Sequence, residues 1–133
     1  MVKEIQLLKI NDPRGNLTFF ENNNQIPFKI KRTYWIYDVP GGESRAGNAF
    51  KKSEEFIIAI SGSFDVETHH GKQRKIYKLS RPYKGLYLPS LTWRNITNFS
   101  TNSVALIVSS TMFNREDYIR DYKTFKNLSI EED

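Results

Sequence analysis

Short runs of apolar residues, many alternating with polar ones and each closed by turn residues, recur along the chain. That rhythm predicts the strands of a sandwich or barrel rather than a bundle of helices. Val2 to Ile10 alternates weakly before Asn11, Asp12, Pro13 and Gly15 interrupt it. Leu17 to Glu21 reads as a strand ahead of the polar turn Asn22-Asn23-Asn24, and Ile30 to Val39 as a long aromatic strand closed by Pro40-Gly41-Gly42. Glu55 to Ile60 is nearly all apolar, as expected of a central strand.

Gly62 breaks that run and Phe64 to Thr68 resumes it. His69 and His70, followed by Gly71 and Lys72, predict a hairpin tip that leaves both imidazoles in solvent. Ile76 to Leu79, Gly85 to Leu88, Trp93 to Thr97 and Val104 to Ser109 complete a series of about ten strands. The period then changes. Asn114 can cap a helix whose first turn carries Glu116 and Asp117, and Tyr118, Ile119, Tyr122 and Phe125 follow at helical spacing. One amphipathic helix packed on the barrel is predicted, with 127–133 as a frayed tail. No linker or repeat interrupts the pattern, so residues 1–133 read as a single domain.

Composition narrows this further. Aromatic residues make up 14% of the 133 residues, with nine Phe and seven Tyr, which suits strands around a ligand pocket. With no cysteine, disulfides, thiolate catalysis and cysteine-bound metal centres are excluded. The first residues lack an apolar leader, and no run approaches the roughly 18 apolar residues that span a bilayer, so a cytoplasmic protein without membrane contact is expected. The net charge of +5 is spread over scattered residues. A nucleic-acid partner would rest on that charge alone, and is not expected. A few inward Arg or Lys would serve a small anion such as a nucleotide.

Two spaced motifs carry more. Gly42 is followed by Glu43 to Gly47, then Asn48-Ala49-Phe50, then Glu55 and Gly62. This resembles the first cupin motif, with Asn48 and Phe50 at its two histidine positions. Pro89-Ser90-Leu91, Arg94 and Asn98 resemble the second motif, with Arg94 at its histidine. The resemblance implies an all-β jelly-roll barrel with a short C-terminal helix. Of the four ligand positions only Glu55 keeps a donor, and one carboxylate does not hold a transition metal, so no metal site is expected. Residues i and i+2 of a strand share a side, so Asn48 and Phe50 should point together into the barrel, with Glu55 and Arg94 arriving from other strands. A buried carboxylate beside a guanidinium makes a strong hydrogen-bonded pair, and that pair suits mutual neutralisation as well as catalysis.

Other segments point to a narrower group. These are Asp12 to Leu17, Lys31 to Tyr37, Ser61-Gly62-Ser63, Leu79 to Tyr87, Trp93-Arg94-Asn95 and Asp117 to Tyr122. Between about Ile10 and Phe125 the chain resembles the nucleotide-sugar 3,4-ketoisomerases of deoxysugar and surface-polysaccharide biosynthesis, which act on dTDP-4-keto-6-deoxyglucose. The resemblance implies a homodimer without a cofactor. A base removes the C3 proton beside the C4 ketone, an enediol forms, and a proton returned at C4 leaves the carbonyl at C3. The family pattern places His-Ala-His, the expected proton carriers, where this chain has Asn48-Ala49-Phe50.

The candidate catalytic set is therefore Glu55, Tyr37, Asn48 and Arg94. Burial would raise Glu55 towards a useful base while Arg94 opposes that shift. Arg14, Arg32 and Arg45 are candidates for the diphosphate, Tyr34, Tyr87 and Trp93 for stacking or hydrogen bonding to base or sugar, and Phe50 and Lys51 for further substrate contact. Two alternatives stay open: another nucleotide-keto-sugar isomerase or epimerase, and a sugar-nucleotide binding cupin without catalysis.

Overall fold

The computed structural model describes residues 1–132. In chain order the strands begin with β1 (Lys3–Gln6), β2 (Lys9–Ile10), β3 (Leu17–Thr18), β4 (Arg32–Tyr37), β5 (Arg45–Phe50) and β6 (Glu55–Ser61). They continue as β7 (Phe64–His70), β8 (Gln73–Leu79), β9 (Lys84–Leu88), β10 (Thr92–Thr97), β11 (Val104–Ser109) and β12 (Tyr118–Ile119), followed by helix α1 (Tyr122–Glu132). One five-stranded sheet runs β1-β9-β6-β11-β4 and a second runs β12-β5-β10-β7-β8, with β2 and β3 as a separate pair. All pairings are antiparallel. The fold is the cupin jelly roll that the motifs imply.

Strand alternation builds the core. From β6, Ile57 and Ala59 turn inward to meet Leu86 and Leu88 of β9, Ala105 and Ile107 of β11, and Phe64, Val66, Leu79 and Ile96 from the facing sheet. The alternate residues Phe56 and Ile58 face outward, under Leu7, Ile26 and Phe28 of the N-terminal segment. β6 reads as a continuous apolar run because both of its faces are covered. Burying one such side chain stabilises by about 1.5–3 kcal/mol.

Several elements differ from the sequence pattern. Leu7 drops out of the first strand to donate its N–H to the Tyr83 carbonyl at 2.7 Å, splitting Val2 to Ile10 into β1 and β2. His69 and His70 end β7, and the turn itself is Gly71-Lys72, so the predicted tip is displaced. Both imidazoles are half-buried rather than solvated. His69 packs on Tyr122 and Phe125, and His70 Nδ1 lies 2.9 Å from Thr92 Oγ1.

The C-terminal segment departs most. Asn114 caps only a 3-10 turn, Arg115–Asp117, and Tyr118 and Ile119 then pair with Phe50 and Ala49 as a strand. The helix starts later, at Tyr122, with the Asp121 carboxylate accepting from Thr124 N at 3.1 Å and Thr124 Oγ1 at 2.7 Å. It continues to Glu132, through most of the segment expected to fray; Asp133 lies outside the described residues. Phe125 seats the helix on Trp93, Ala49 and Ile119.

Candidate active site

A cavity of about 320 Å³ opens at one end of the barrel between the two sheets. Its floor is built by alternation on four strands: Tyr34 from β4, Asn48 and Phe50 from β5, Glu55 from β6 and Arg94 from β10. A bulge helps to aim β5. Arg94 pairs with Asn48 but Asn95 pairs with Ala46, leaving Gly47 unmatched, and both Ala46 (φ 75°) and Gly47 (φ 71°) adopt the left-handed conformation.

Glu55 is the centre of the site. It is 1% exposed, and its two oxygens are taken from different sides. Arg94 Nη1 donates to Oε1 at 2.6 Å, Tyr34 Oη donates to Oε2 at 2.7 Å, and Arg32 Nη2 stands 3.7 Å from Oε2. Arg94 is fixed further by Nε donating to the Thr92 carbonyl at 3.1 Å, and Arg32 by Nη2 donating to Ser109 Oγ at 3.2 Å. Both guanidiniums lie near the Phe50 ring, at 4.9 Å for Arg94 and 5.9 Å for Arg32. Two cations thus face one carboxylate, and Arg94 Nη2 and Arg32 Nε have no hydrogen-bond partner.

The electrostatics follow from this burial. Desolvation pushes the Glu55 carboxyl above its usual range, while Arg94, the Tyr34 hydroxyl and Arg32 pull it back. Burial, then the negative charge of Glu55, pushes the Tyr34 phenol far above its ordinary value, so Tyr34 is a neutral proton donor. Asn48 is buried, and its Nδ2 makes only a long 3.4 Å contact with the Ala49 carbonyl. Among the described residues no cluster of three His, Asp or Glu side chains could hold a metal ion.

The structure sorts the sequence-derived candidates. Glu55, Arg94, Asn48, Phe50, Tyr34 and Arg45 line the cavity, and Arg32 supports its floor through Glu55. Tyr37 does not line it. It lies on the face of β4 opposite Tyr34 and Ile36, 59% exposed, so Tyr34 holds the position expected of Tyr37. Trp93 points away from the neighbouring Arg94, out of the barrel and onto Tyr122 and Phe125. Tyr87 likewise faces outward between Leu86 and Leu88, with its hydroxyl donating to Glu54 Oε1 at 2.5 Å. Arg14 is exposed on the loop after β2 and pairs with Asp12, and Lys51 is exposed beside Phe113 and Asn114.

Sequence reasoning missed Trp35, Tyr118 and Arg120, which line the mouth together with Arg45. The Arg120 guanidinium stacks on the Tyr118 ring at 4.4 Å. The signal that could have found Tyr118 and Arg120 was the segment Asp117 to Tyr122, and for Trp35 the segment Lys31 to Tyr37, both of which carry the family resemblance.

A jelly roll whose interior ends in a small cavity lined by Arg, Tyr and Glu defines a cupin-type small-molecule site. Comparison with known proteins makes the class specific. The family model described as FdtA, WxcM-like, C-terminal, matches residues 1–129. The TDP-4-oxo-6-deoxy-alpha-D-glucose-3,4-oxoisomerase of Aneurinibacillus thermoaerophilus is 38% identical over 124 residues, 93% of this chain and 89% of that protein. A mutant of the 3,4-ketoisomerase QdtA from Thermoanaerobacterium thermosaccharolyticum, solved with TDP-4-keto-6-deoxyglucose, superimposes with a TM-score of 0.94 at 33% identity, covering 98% of this chain and 94% of that one. WlaRB, a TDP-quinovose 3,4-ketoisomerase from Campylobacter jejuni, gives a TM-score of 0.90 at 37% identity, covering 95% and 97%. The chain belongs to the FdtA family, and the relatives it is similar to are named as 3,4-ketoisomerases or a 3,4-oxoisomerase.

Proposed function

We propose that this chain is a nucleotide-sugar 3,4-ketoisomerase that moves the carbonyl of TDP-4-keto-6-deoxyglucose from C4 to C3 through an enediol. The observation that carries the reading is the Arg94–Glu55–Tyr34 network at the cavity floor, inside a fold shared with ketoisomerases. The C4 ketone acidifies the C3 proton. Glu55, with its carboxyl raised by burial, removes that proton as the C3–H electron pair becomes the C3–C4 double bond. Tyr34 gives its O–H proton to O4 as the carbonyl pair moves onto that oxygen. Glu55 then returns its proton to C4, and O3 gives its proton back to Tyr34 as the new carbonyl forms. The excess positive charge of Arg94 and Arg32 over Glu55 stabilises the enediolate. Asn48 donates a hydrogen bond that orients the sugar, and Phe50 forms an apolar wall. The reaction needs no metal in this proposal, since the single carboxylate of the cavity is already held by Arg94 and Tyr34.

A cavity of about 320 Å³ holds the sugar but not the whole nucleotide sugar. The diphosphate then lies at the mouth, where Arg45 and Arg120 offer guanidiniums. We also propose a homodimer, supported by the exposed apolar side chains Leu8, Ile10, Leu17, Phe19, Trp35 and Ile60. A cytoplasmic location belongs to the same proposal. The absence of cysteine suits a reducing compartment, and no helix among the described residues is long and apolar enough to cross a membrane.

The test is a proton NMR time course in deuterium oxide with the purified protein and TDP-4-keto-6-deoxyglucose. Loss of the C3 proton signal with a new C3 carbonyl supports the isomerase, and Glu55→Gln and Tyr34→Phe should each abolish it. Binding of the nucleotide sugar without exchange would leave a binding cupin that lacks a base.

A further inference from the structure

Asp117 lines no part of the cavity, yet its buried carboxylate accepts three hydrogen bonds from the turn between β5 and β6. It is buried just before Tyr118, in the segment that supplies two cavity residues. Its Oδ1 accepts from Lys52 N at 2.8 Å, and its Oδ2 accepts from Ser53 N at 3.2 Å and Ser53 Oγ at 2.5 Å. Its backbone carbonyl accepts from Lys51 N at 2.9 Å. Three consecutive amides of the β5–β6 turn therefore end on one residue, and Thr111 Oγ1, 2.5 Å from Ser53 Oγ, joins the end of β11 to the same knot.

Directly after this clamp the chain makes only two rungs of strand pairing, Tyr118 with Phe50 and Ile119 with Ala49. Two rungs hold an edge segment weakly by themselves. The hydrogen bonds of a buried carboxylate are the strong, charge-assisted kind, so the clamp fixes where β12 starts and how it is registered on β5. That register puts Tyr118 into the cavity wall and Arg120 over the Tyr118 ring at the mouth. Arg120 makes no ion pair among the described residues, so its guanidinium is held by that stacking alone and is free to meet an anion.

The catalytic carboxylate is anchored differently. Glu55 is held by strand pairing with Leu88 and Ser109, and by Arg94 and Tyr34, none of which hydrogen-bonds to Asp117.

We propose that Asp117 is a positioning residue for substrate binding: by tying the Lys51–Ser53 turn to β12 it presents Arg120 to the diphosphate of the nucleotide sugar. This rests on the nucleotide-sugar reading above. Asp117 acts on the affinity for the nucleotide and not on the proton transfers.

The experiment is a double-mutant cycle read by calorimetric TDP binding, alongside isomerase kinetics of the same proteins. Asp117→Ala and Arg120→Ala should each weaken TDP binding roughly tenfold and raise KM to match, with kcat changed little. The double variant should be no worse than Arg120→Ala alone, because the clamp works through that side chain. Ser53→Ala, which removes one bond of the clamp, should show the same pattern at smaller size, and it serves where Asp117→Ala does not fold. Losses that multiply in the double variant, or a fall in kcat with KM unchanged, would overturn the proposal. If the wild-type protein binds no TDP, the nucleotide-sugar reading fails and this role fails with it. If it binds TDP but does not isomerise, only the catalytic reading fails, and the binding cycle still decides on Asp117.

Discussion

Arg94 and Glu55 meet across the barrel at 2.6 Å, one from the middle of β10 and the other from the first residue of β6, so a single ion pair joins the two sheets at the cavity floor. Neither side chain reaches bulk water, being 3% and 1% exposed. Removing Glu55 leaves Arg94 as a buried uncompensated charge, which is far costlier than the net worth of the pair, and removing Arg94 leaves Glu55 only Arg32, at 3.7 Å. The pair therefore fixes the protonation of Glu55 as well as its place.

The pH dependence of the reaction should report this. Burial raises the Glu55 carboxyl above its ordinary 4.5, and Arg94 is the strongest of the groups opposing that rise. Activity that needs ionised Glu55 should fall on the acid side at a pH above 4.5. Arg94→Met should move that limb to higher pH, and Arg94→Lys should move it less. Stability carries the same sign. A raised folded-state value means that the protonated form favours the native state below 4.5, and that this advantage is lost as pH rises through the raised value. The stability of the wild type relative to Glu55→Gln should thus decline over that window in urea titrations. An acid limb indifferent to Arg94 would remove Glu55 as the base.

The helix and the cavity can be separated experimentally. Phe125 is fully buried against Trp93 and Ile119 on the outer face of the sheet, away from the cavity residues. Phe125→Ala should cost about 3–5 kcal/mol in equilibrium unfolding. Trp93→Phe should leave TDP affinity unchanged by calorimetry, since its ring packs on Tyr122 and Phe125. A severalfold loss of affinity in that variant would contradict its outward placement.

These placements show what the sequence could carry. The spacing from Gly42 through Asn48 and Glu55 to Gly62, with that from Pro89 to Asn98, brought Asn48, Phe50, Glu55 and Arg94 to one cavity, because strand parity and motif spacing are local properties. Strand face was harder. The last four residues of β4, Tyr34-Trp35-Ile36-Tyr37, are all aromatic or apolar, so alternation there does not say whether Tyr34 or Tyr37 turns inward. Tyr87 and Trp93 were ambiguous in the same way, each with a neighbour that faces the interior. Tyr118 to Arg120 was misread for another reason. Its apolar spacing suits a helix, but pairing with residues nearly seventy positions earlier and the Asp117 clamp make it a strand. Contacts of that range leave no local trace.

The motif glycine at 62 offers a test of the frame apart from the site. Gly62 has φ +68°, and an added Cβ would lie 2.9 Å from Ser103 Cα as well as against Ser100 Oγ. Ser100 cannot simply swing away, because its Oγ accepts from Ser63 N at 2.9 Å. Gly62→Ala combines an unfavourable left-handed conformation with overpacking against backbone, and should cost roughly 2–4 kcal/mol in urea unfolding. Since Gly62 does not line the cavity, the folded fraction should bind TDP as the wild type does. A loss below about 1 kcal/mol would mean that the turn relaxes freely, against the packing described.

The exposed apolar side chains argue for a partner, and their arrangement favours a second copy. Phe19 beside the β2–β3 hairpin and Ile60 at the end of β6 line one groove on the outer face of the first sheet, with Ile58 and Leu106 at its base. Ile10 and Leu17 pair across the hairpin itself and are exposed. A surface of this kind is rare on a monomer and suits a self-complementary interface about a two-fold axis. Sedimentation should give twice the 15.6 kDa chain mass for the wild type. Ile60→Glu places a charge at the groove and outside the cavity, so it should yield a folded monomer. Leu17→Lys should do the same through the hairpin. A wild-type protein that stays monomeric at micromolar concentration would leave this apolar face without the partner proposed for it.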